Sequence, residues 1–263
     1  MQSEQPGTDI ASALRAAAGF GPYCTWEPWD GAAGWRPLRD LLDADVVADR
    51  VMAGRQALAR MAGLAPGDVA ERVAASIVFL GLASRLLSPP LAAACVSGVL
   101  PVPDFERIRW QPVESGPMPI AWHDLDAALA DNDPAAVAQV LIRTTTLTLV
   151  GPLLEVFCGR FLVSGKVMWG NVASALAGAA GMIADAAPIH AECGAAIVER
   201  MLAQPPLLGT ATLTRPDPGR ARWFLVRRNC CLYYRIPGGG MCGDCVLTPE
   251  AVRRQQWRAM LNG

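Results

Sequence analysis

Aromatic residues make up only 6 % of this 263-residue chain, histidine occurs twice, and lysine once, at Lys166. Few aromatics and abundant alanine disfavour a β-sandwich and favour packed helices. Charged residues reach 18 % and apolar residues 52 %, so a sizeable core is available and global disorder is excluded. There is no acidic or basic tail, internal repeat or low-complexity linker, the net charge is −1, and no nucleic-acid partner is expected. Nicotinamide and flavin fingerprints are missing as well. Gly238-Gly239-Gly240 lies outside any strand–loop–helix unit and reads as a turn. Met1-Gln2-Ser3-Glu4-Gln5-Pro6 has no basic region leading into an apolar run, so a cytoplasmic location is expected. The most hydrophobic stretch, Ile77 to Leu100, is interrupted by Arg85 and Pro89-Pro90. It reads as a buried helix, a break and a second short helix, and poorly as a membrane span.

What the chain does have is cysteine. Of eight, Cys230, Cys231, Cys242 and Cys245 fall in one short window, in the pattern CC-x10-C-x2-C. In a reducing compartment such a quartet points to metal or redox chemistry rather than a disulfide framework. Structural zinc favours two spaced Cys-x2-Cys knuckles, and only Cys242–Cys245 has that form. Adjacent Cys230 and Cys231 serve one ion awkwardly but could serve either iron of a [2Fe-2S] rhomb. By spacing alone [2Fe-2S], zinc and a disulfide pair all remain open. Cys24, Cys95, Cys158 and Cys193 are isolated and read as small core hydrophobes, and His123 and His190 as structural. From Arg215 onward nine arginines face Asp217, Asp244 and Glu250, a surplus of six positive charges around the quartet. That surplus is either a solvated face or a counterweight to an anionic centre.

Periodicity predicts helices over Ala11 to Ala18, Leu38 to Leu64 and a third capped by Asp68 and running to about Leu87. A small β-hairpin is expected within Phe105 to Ile120. Asp133-Pro134 should open a helix that Pro152 bends or breaks before Leu153 to Phe161. Lys166 to Ala187 and Ala191 to Leu202 follow as helices, the first rich in small residues. Beyond Pro205-Pro206, strands are expected at Trp223 to Val226 and Leu232 to Ile236, then a basic amphipathic helix from Thr248 to Leu261. The expected fold class is mainly α (α+β): a helical domain with a small β-hairpin and a C-terminal β-ribbon/helix appendage. The division expected is 1–210 helical and 211–263 cluster-binding, packed as one unit.

Two stretches resemble a known family. Arg228-Asn229-Cys230-Cys231-Leu232-Tyr233-Tyr234-Arg235-Ile236-Pro237 with Cys242-Gly243-Asp244-Cys245 closely resembles the C-terminal signature of FhuF-type ferric siderophore reductases. Gly165-Lys166-Val167-Met168-Trp169-Gly170-Asn171-Val172-Ala173-Ser174-Ala175-Leu176 is similar to a second family stretch, shared with a domain of siderophore synthetases. The first 150 residues resemble the family only in length and character.

The resemblance implies a [2Fe-2S] cluster on Cys230, Cys231, Cys242 and Cys245, in a cytoplasmic reductase of imported ferric siderophores, chiefly hydroxamates. Hard oxygen donors hold Fe(III) far more tightly than Fe(II), so one electron labilises the complex. A separate donor such as a ferredoxin or flavin reductase is implied. Trp169, Asn171, Arg228 and Arg235 become candidate substrate contacts, and Arg227 and its neighbours become candidates to tune the cluster or dock a partner. The alternatives are that Trp169 packs, Asn171 caps or ties down a helix start, and the arginines lie on a solvated strand face. Asp244 reads as a surface turn residue, and membrane contact as peripheral at most. The rival reading is a non-enzymatic binding or regulatory module with a structural zinc or iron–sulfur site. A synthetase is a weaker rival, since the chain is far shorter and carries no nucleotide-phosphate motif.

Overall fold

Short acidic caps start the first two long elements of the computed structural model, which describes residues 9–129 and 133–262. Asp9 accepts the Ala11 N–H at 3.0 Å and opens α1 (Ile10–Ala18). Asp43 caps α2 (Ala44–Ala62), which Gly63 ends in the left-handed conformation. The helix expected from Leu38 therefore starts later. Leu38–Leu42 is a separate 3-10 turn, set off by the extended backbone of Asp43. Asp68 is not the cap of the next helix. Its carboxylate turns back to the Ala65 N–H at 3.0 Å, and α3 (Glu71–Ser97) starts after Ala70 without a side-chain cap.

Helix α3 also overturns the break expected at Pro89-Pro90, for it runs unbroken through both prolines over 27 residues. Pro89 has no N–H for the carbonyl of Arg85, one helical turn back. The indole N–H of Trp26 donates to that carbonyl instead, at 2.8 Å, in a buried setting. With its orphan acceptor satisfied there, the helix continues. The Arg85 side chain is buried too, its Nε donating to the Met118 carbonyl at 2.6 Å. Most of α3 is enclosed: α1, α2 and α6 (Gly165–Ala186) pack around it, α6 most extensively. Small residues such as Ala173 and Ala180 on α6 allow the close approach.

Asp133 caps α4 (Pro134–Leu141) through the Ala135 N–H at 2.9 Å, as its Asp-Pro pair predicts. The chain then runs as π-helix over Ile142–Val150 into α5 (Gly151–Phe161) without a break. Pro152 sits in the first turn of α5, where a missing N–H is tolerated. Helix α7 (Ala191–Leu202) packs on α4 and α6. Three helical runs, Glu71–Ser97, Pro134–Phe161 and Gly165–Ala186, are long and apolar enough to cross a membrane. Most of α3's apolar surface is already used by the protein's own core.

The sheets are small, so the fold is mainly α with minor β structure. Strands β1 (Glu27–Pro28), β2 (Arg36–Pro37), β4 (Ile108–Trp110) and β5 (Ile120–Trp122) form one sheet in the order β1-β5-β4-β2. Its centre is the expected hairpin, with Ile108 opposite Trp122. β3 (Val99–Val102) pairs with β6 (Asp126–Leu129). The C-terminal ribbon is β7 (Ala211–Thr214) against β8 (Phe224–Arg227), with Ala211 opposite Arg227. It lies on α6 and α7. Helix α8 (Glu250–Asn262) folds back on it, stacking Trp257 on Phe224 with ring centroids 5.0 Å apart. Thr248, expected as its cap, directs its hydroxyl to Met241 Sδ at 3.3 Å.

Candidate metal centre

Strand β8 delivers the chain directly to the first two cysteines. Its ladder ends where Arg228 N–H meets the Thr210 carbonyl at 2.9 Å, and Asn229, Cys230 and Cys231 follow. The strand expected over Leu232 to Ile236 does not form. Leu232 takes a left-handed backbone with φ 72°, and Tyr233–Arg235 is a 3-10 turn. Such a conformation costs a non-glycine residue roughly 1–2 kcal/mol. Here it swings the Leu232 N–H to 3.2 Å from Cys230 Sγ, a donor that an extended strand would have aimed sideways. The cysteines thus sit on turns beyond the ribbon rather than on it.

Left-handed Gly238 and Gly240 return the chain to Cys242, whose Sγ lies 3.4 Å from Cys231 Sγ. A tight turn closes the second pair, Cys245 N–H to Cys242 carbonyl at 3.1 Å. Cys231 and Cys245 are buried, while Cys230 and Cys242 are partly exposed. The hydrogen bond shared with Cys242 pulls Cys231 down to about 6, helped by the Tyr233 backbone and Arg227 and opposed by burial. The same bond, with burial and the Asp244 charge, pushes Cys242 up. Burial raises Cys230, against the Leu232 N–H and Arg227. Among the described residues, no three His, Cys, Asp or Glu side chains are gathered tightly enough to hold one metal ion. A two-iron rhomb asks something different of a protein: two thiolates at each of two irons, N–H donors to sulfur, and positive charge nearby. For that role the segment offers four thiols, of which Cys231 and Cys242 are in contact, together with the Leu232 N–H and the Arg227 charge.

Arg227 links this loop to the helical body. It is 1 % exposed. Its guanidinium donates to Ser174 Oγ at 3.0 Å, Asn171 Oδ1 at 2.9 Å, and Asn229 Oδ1 at 3.0 Å. Ser174 in turn donates to the Asp244 carboxylate, so Asp244 is anchored to α6 rather than being a free surface turn residue. Asn171 donates to the carbonyl and hydroxyl oxygens of Ser76 on α3, and Ser76 Oγ donates to the Cys231 carbonyl at 2.8 Å. A closed polar circuit thus joins α3, α6, β8 and both cysteine pairs.

The circuit corrects one expectation and explains a motif. Asn171, expected to contact substrate, is 0 % exposed and has both its amide nitrogen and its oxygen engaged inside the protein. It is a positioning residue for the cysteine loop. Gly170 is glycine because Asn229 lies against its α-carbon, leaving no room for a Cβ. Asn229 is held there by donating to the Lys166 carbonyl at 2.7 Å. Trp169 is half-buried against the core, and Arg228 and Arg235 are exposed. Arg235 bonds only to its neighbour, Nε to Tyr234 Oη at 3.2 Å. Ser76 had no sequence signal, lying 155 residues from the cysteine it supports.

The remaining cysteines lie elsewhere. Cys24 is buried and pushed up to about 12 by that burial, with Arg85 opposing. Cys95 and Cys193, distant in sequence, share a hydrogen bond where α3 meets α7. His123 packs at a tilt against Trp29, ring centroids 5.1 Å apart, away from the thiols.

With this geometry in place, residues 227–247 match the family model of the FhuF 2Fe-2S C-terminal domain. That segment is similar to the [2Fe-2S] domain of FhuF-type proteins. The match begins at Arg227, the hub of the circuit, and contains all four cysteines. No curated protein matches the chain. The cofactor of the FhuF-type segment is therefore a [2Fe-2S] cluster, and Cys230, Cys231, Cys242 and Cys245 are the thiols available to hold it. The Trp-Gly-Asn stretch lies outside the matched residues yet is locked to them through Asn229 and Arg227.

Proposed function

We propose that this chain is a cytoplasmic one-electron reductase of ferric siderophores. The observation that carries the reading is the FhuF-type cysteine segment beside an open cavity, with Gly243 and Asp244 of the Cys-x2-Cys turn forming part of the cavity wall. When bound, the cluster supplies one electron: Fe(III) becomes Fe(II), and a donor protein refills the oxidised cluster. The oxygen donors of the chelate then hold the softer ion weakly and release it.

The chain's residues set the conditions for that transfer. Cys230, Cys231, Cys242 and Cys245 hold the irons. Leu232 supplies a backbone hydrogen bond to sulfur, and Arg227 provides a buried positive charge that favours the more negative reduced state. Arg228, Arg235 and Arg258 are exposed cations in the C-terminal segment, available to an acidic electron donor such as a ferredoxin or flavin reductase.

The test is an anaerobic spectrum before and after dithionite, with iron, zinc and sulfide assayed, followed by mixing the reduced protein with a ferric tris-hydroxamate. Bleaching on reduction, colour recovery on mixing, and capture of Fe(II) by a ferrous chelator support the reading. A colourless protein containing zinc would replace it with a structural module.

A further inference from the structure

The cavity beside the cysteine turn is a built cleft of about 500 Å3 between α3, α6, β8 and α8. That lies within the roughly 300–1,000 Å3 of small-molecule sites. Ile77, Leu80, Leu225 and Met260 make its walls largely apolar, and the stacked Phe224–Trp257 pair forms one side. Gly243 and Asp244 close it on the side of Cys242 and Cys245. A ligand in the cleft therefore lies against the turn between two cluster ligands.

Polar groups in this apolar wall are left without partners. Among the described residues, Ser88 Oγ, Trp223 Nε1 and Arg222 Nε are buried and make no hydrogen bond within the protein. Ser88 is 0 % exposed and lies in the helical wall of the cleft. A buried unpaired donor is costly unless something else supplies an acceptor. Arg222 is paired with Asp185, whereas the Asp244 carboxylate, which accepts from the neutral Ser174 hydroxyl, keeps its negative charge. The complementary ligand is compact, carries oxygen acceptors on an apolar frame, and has no net negative charge to oppose Asp244. Three hydroxamate anions around Fe(III) make such a core, since their charges cancel.

Resting on the reductase reading, we propose that this cleft seats the ferric chelate, with Ser88, Trp223 and Arg222 donating to its oxygens and the Gly243-Asp244 turn bringing its iron up to the cluster. Gly178 on α6 lines the same cleft and has open space where a Cβ would stand. A larger side chain there starts from open space and projects into the cleft.

The experiment uses the cluster-loaded protein and the gallium(III) complex of a tris-hydroxamate, which matches the ferric complex but accepts no electron. Binding is read from tryptophan fluorescence, since Trp223 and Trp257 line the cleft. Gly178→Leu should weaken binding by about tenfold or more, equivalent to at least 1.4 kcal/mol, with its visible spectrum unchanged. Trp223→Phe, which keeps the ring contact and removes the N–H, should weaken it several-fold. Unchanged affinity in a Gly178→Leu protein with an intact spectrum would overturn the cleft assignment. The reductase reading fails separately, if wild-type protein binds the gallium complex but its reduced form is not reoxidised by the ferric one.

Discussion

Asn229 occupies the space above Gly170 that a side chain would need, so the residue before the first cluster cysteine is keyed into the glycine of the Trp-Gly-Asn stretch. This contact explains why a cysteine loop with little regular structure has a defined position. The loop hangs from α6 at Asn229 and Arg227, and from α3 at Ser76.

Gly170→Ala should therefore be severe for so small a change. Overpacking of this kind costs roughly 1–3 kcal/mol, and here it displaces the residue next to Cys230. A lowered melting temperature and faster cluster loss in air are the expected results. Asn229→Ala in the Gly170→Ala background should restore part of the stability, because it removes the atoms that clash. Strict additivity of the two changes would show that they do not meet.

Arg227 is a buried cation whose charge favours the thiolate form of Cys230 and Cys231. Arg227→Gln should lower the cluster's reduction potential, since reduction adds negative charge and the compensating cation is gone. A shift of about 59 mV corresponds to tenfold in the one-electron equilibrium, and a change of that order or more is expected by spectroelectrochemical titration. Arg227→Lys should keep more of the potential but lose stability, because an ammonium cannot reproduce the fork reaching Ser174, Asn171 and Asn229. A potential unmoved by Arg227→Gln would reduce Arg227 to a structural tie.

How legible this was in the chain depended on whether the partner lay nearby. The cysteine quartet, the Asp133-Pro134 helix start and the small hairpin could be read directly, because each is a local pattern with a local cause. Pro89-Pro90 misled, since the donor that rescues Arg85's carbonyl is Trp26, far away in sequence. Leu232 misled for the opposite reason. Its β-like neighbours Tyr233 and Tyr234 suggest a strand, yet the sulfur of Cys230 takes the N–H that a ladder would have used. The Trp-Gly-Asn stretch was visible as a motif while its role was not, because Asn171 reads as a polar contact until the guanidinium of Arg227 is placed against it.

Trp26 gives a prediction away from the cluster. Trp26→Phe leaves the Arg85 carbonyl buried and unpaired at the proline pair, which should cost about 1–3 kcal/mol. Thermal melting followed by circular dichroism would register this, and the visible spectrum of the folded protein should not change. Unaltered stability would mean that water or a neighbouring group takes the place of the indole.

Cys231 separates cluster chemistry from scaffold. It is buried, it shares a 3.4 Å contact with Cys242, and its carbonyl anchors the loop to Ser76 through the backbone rather than the side chain. Cys231→Ser therefore removes a soft ligand while leaving that anchor in place. The helical circular dichroism should persist, because α3 and α6 pack without the thiol, while visible absorption and ferric-chelate reduction are lost. The matching control is Cys24→Ser, whose thiol lies buried beside Arg85 and outside the centre. That variant should keep the spectrum and the activity, at some cost in stability from placing a hydroxyl in the core. Full reductase activity in Cys231→Ser would remove the cluster from the reaction, whatever the colour of the protein.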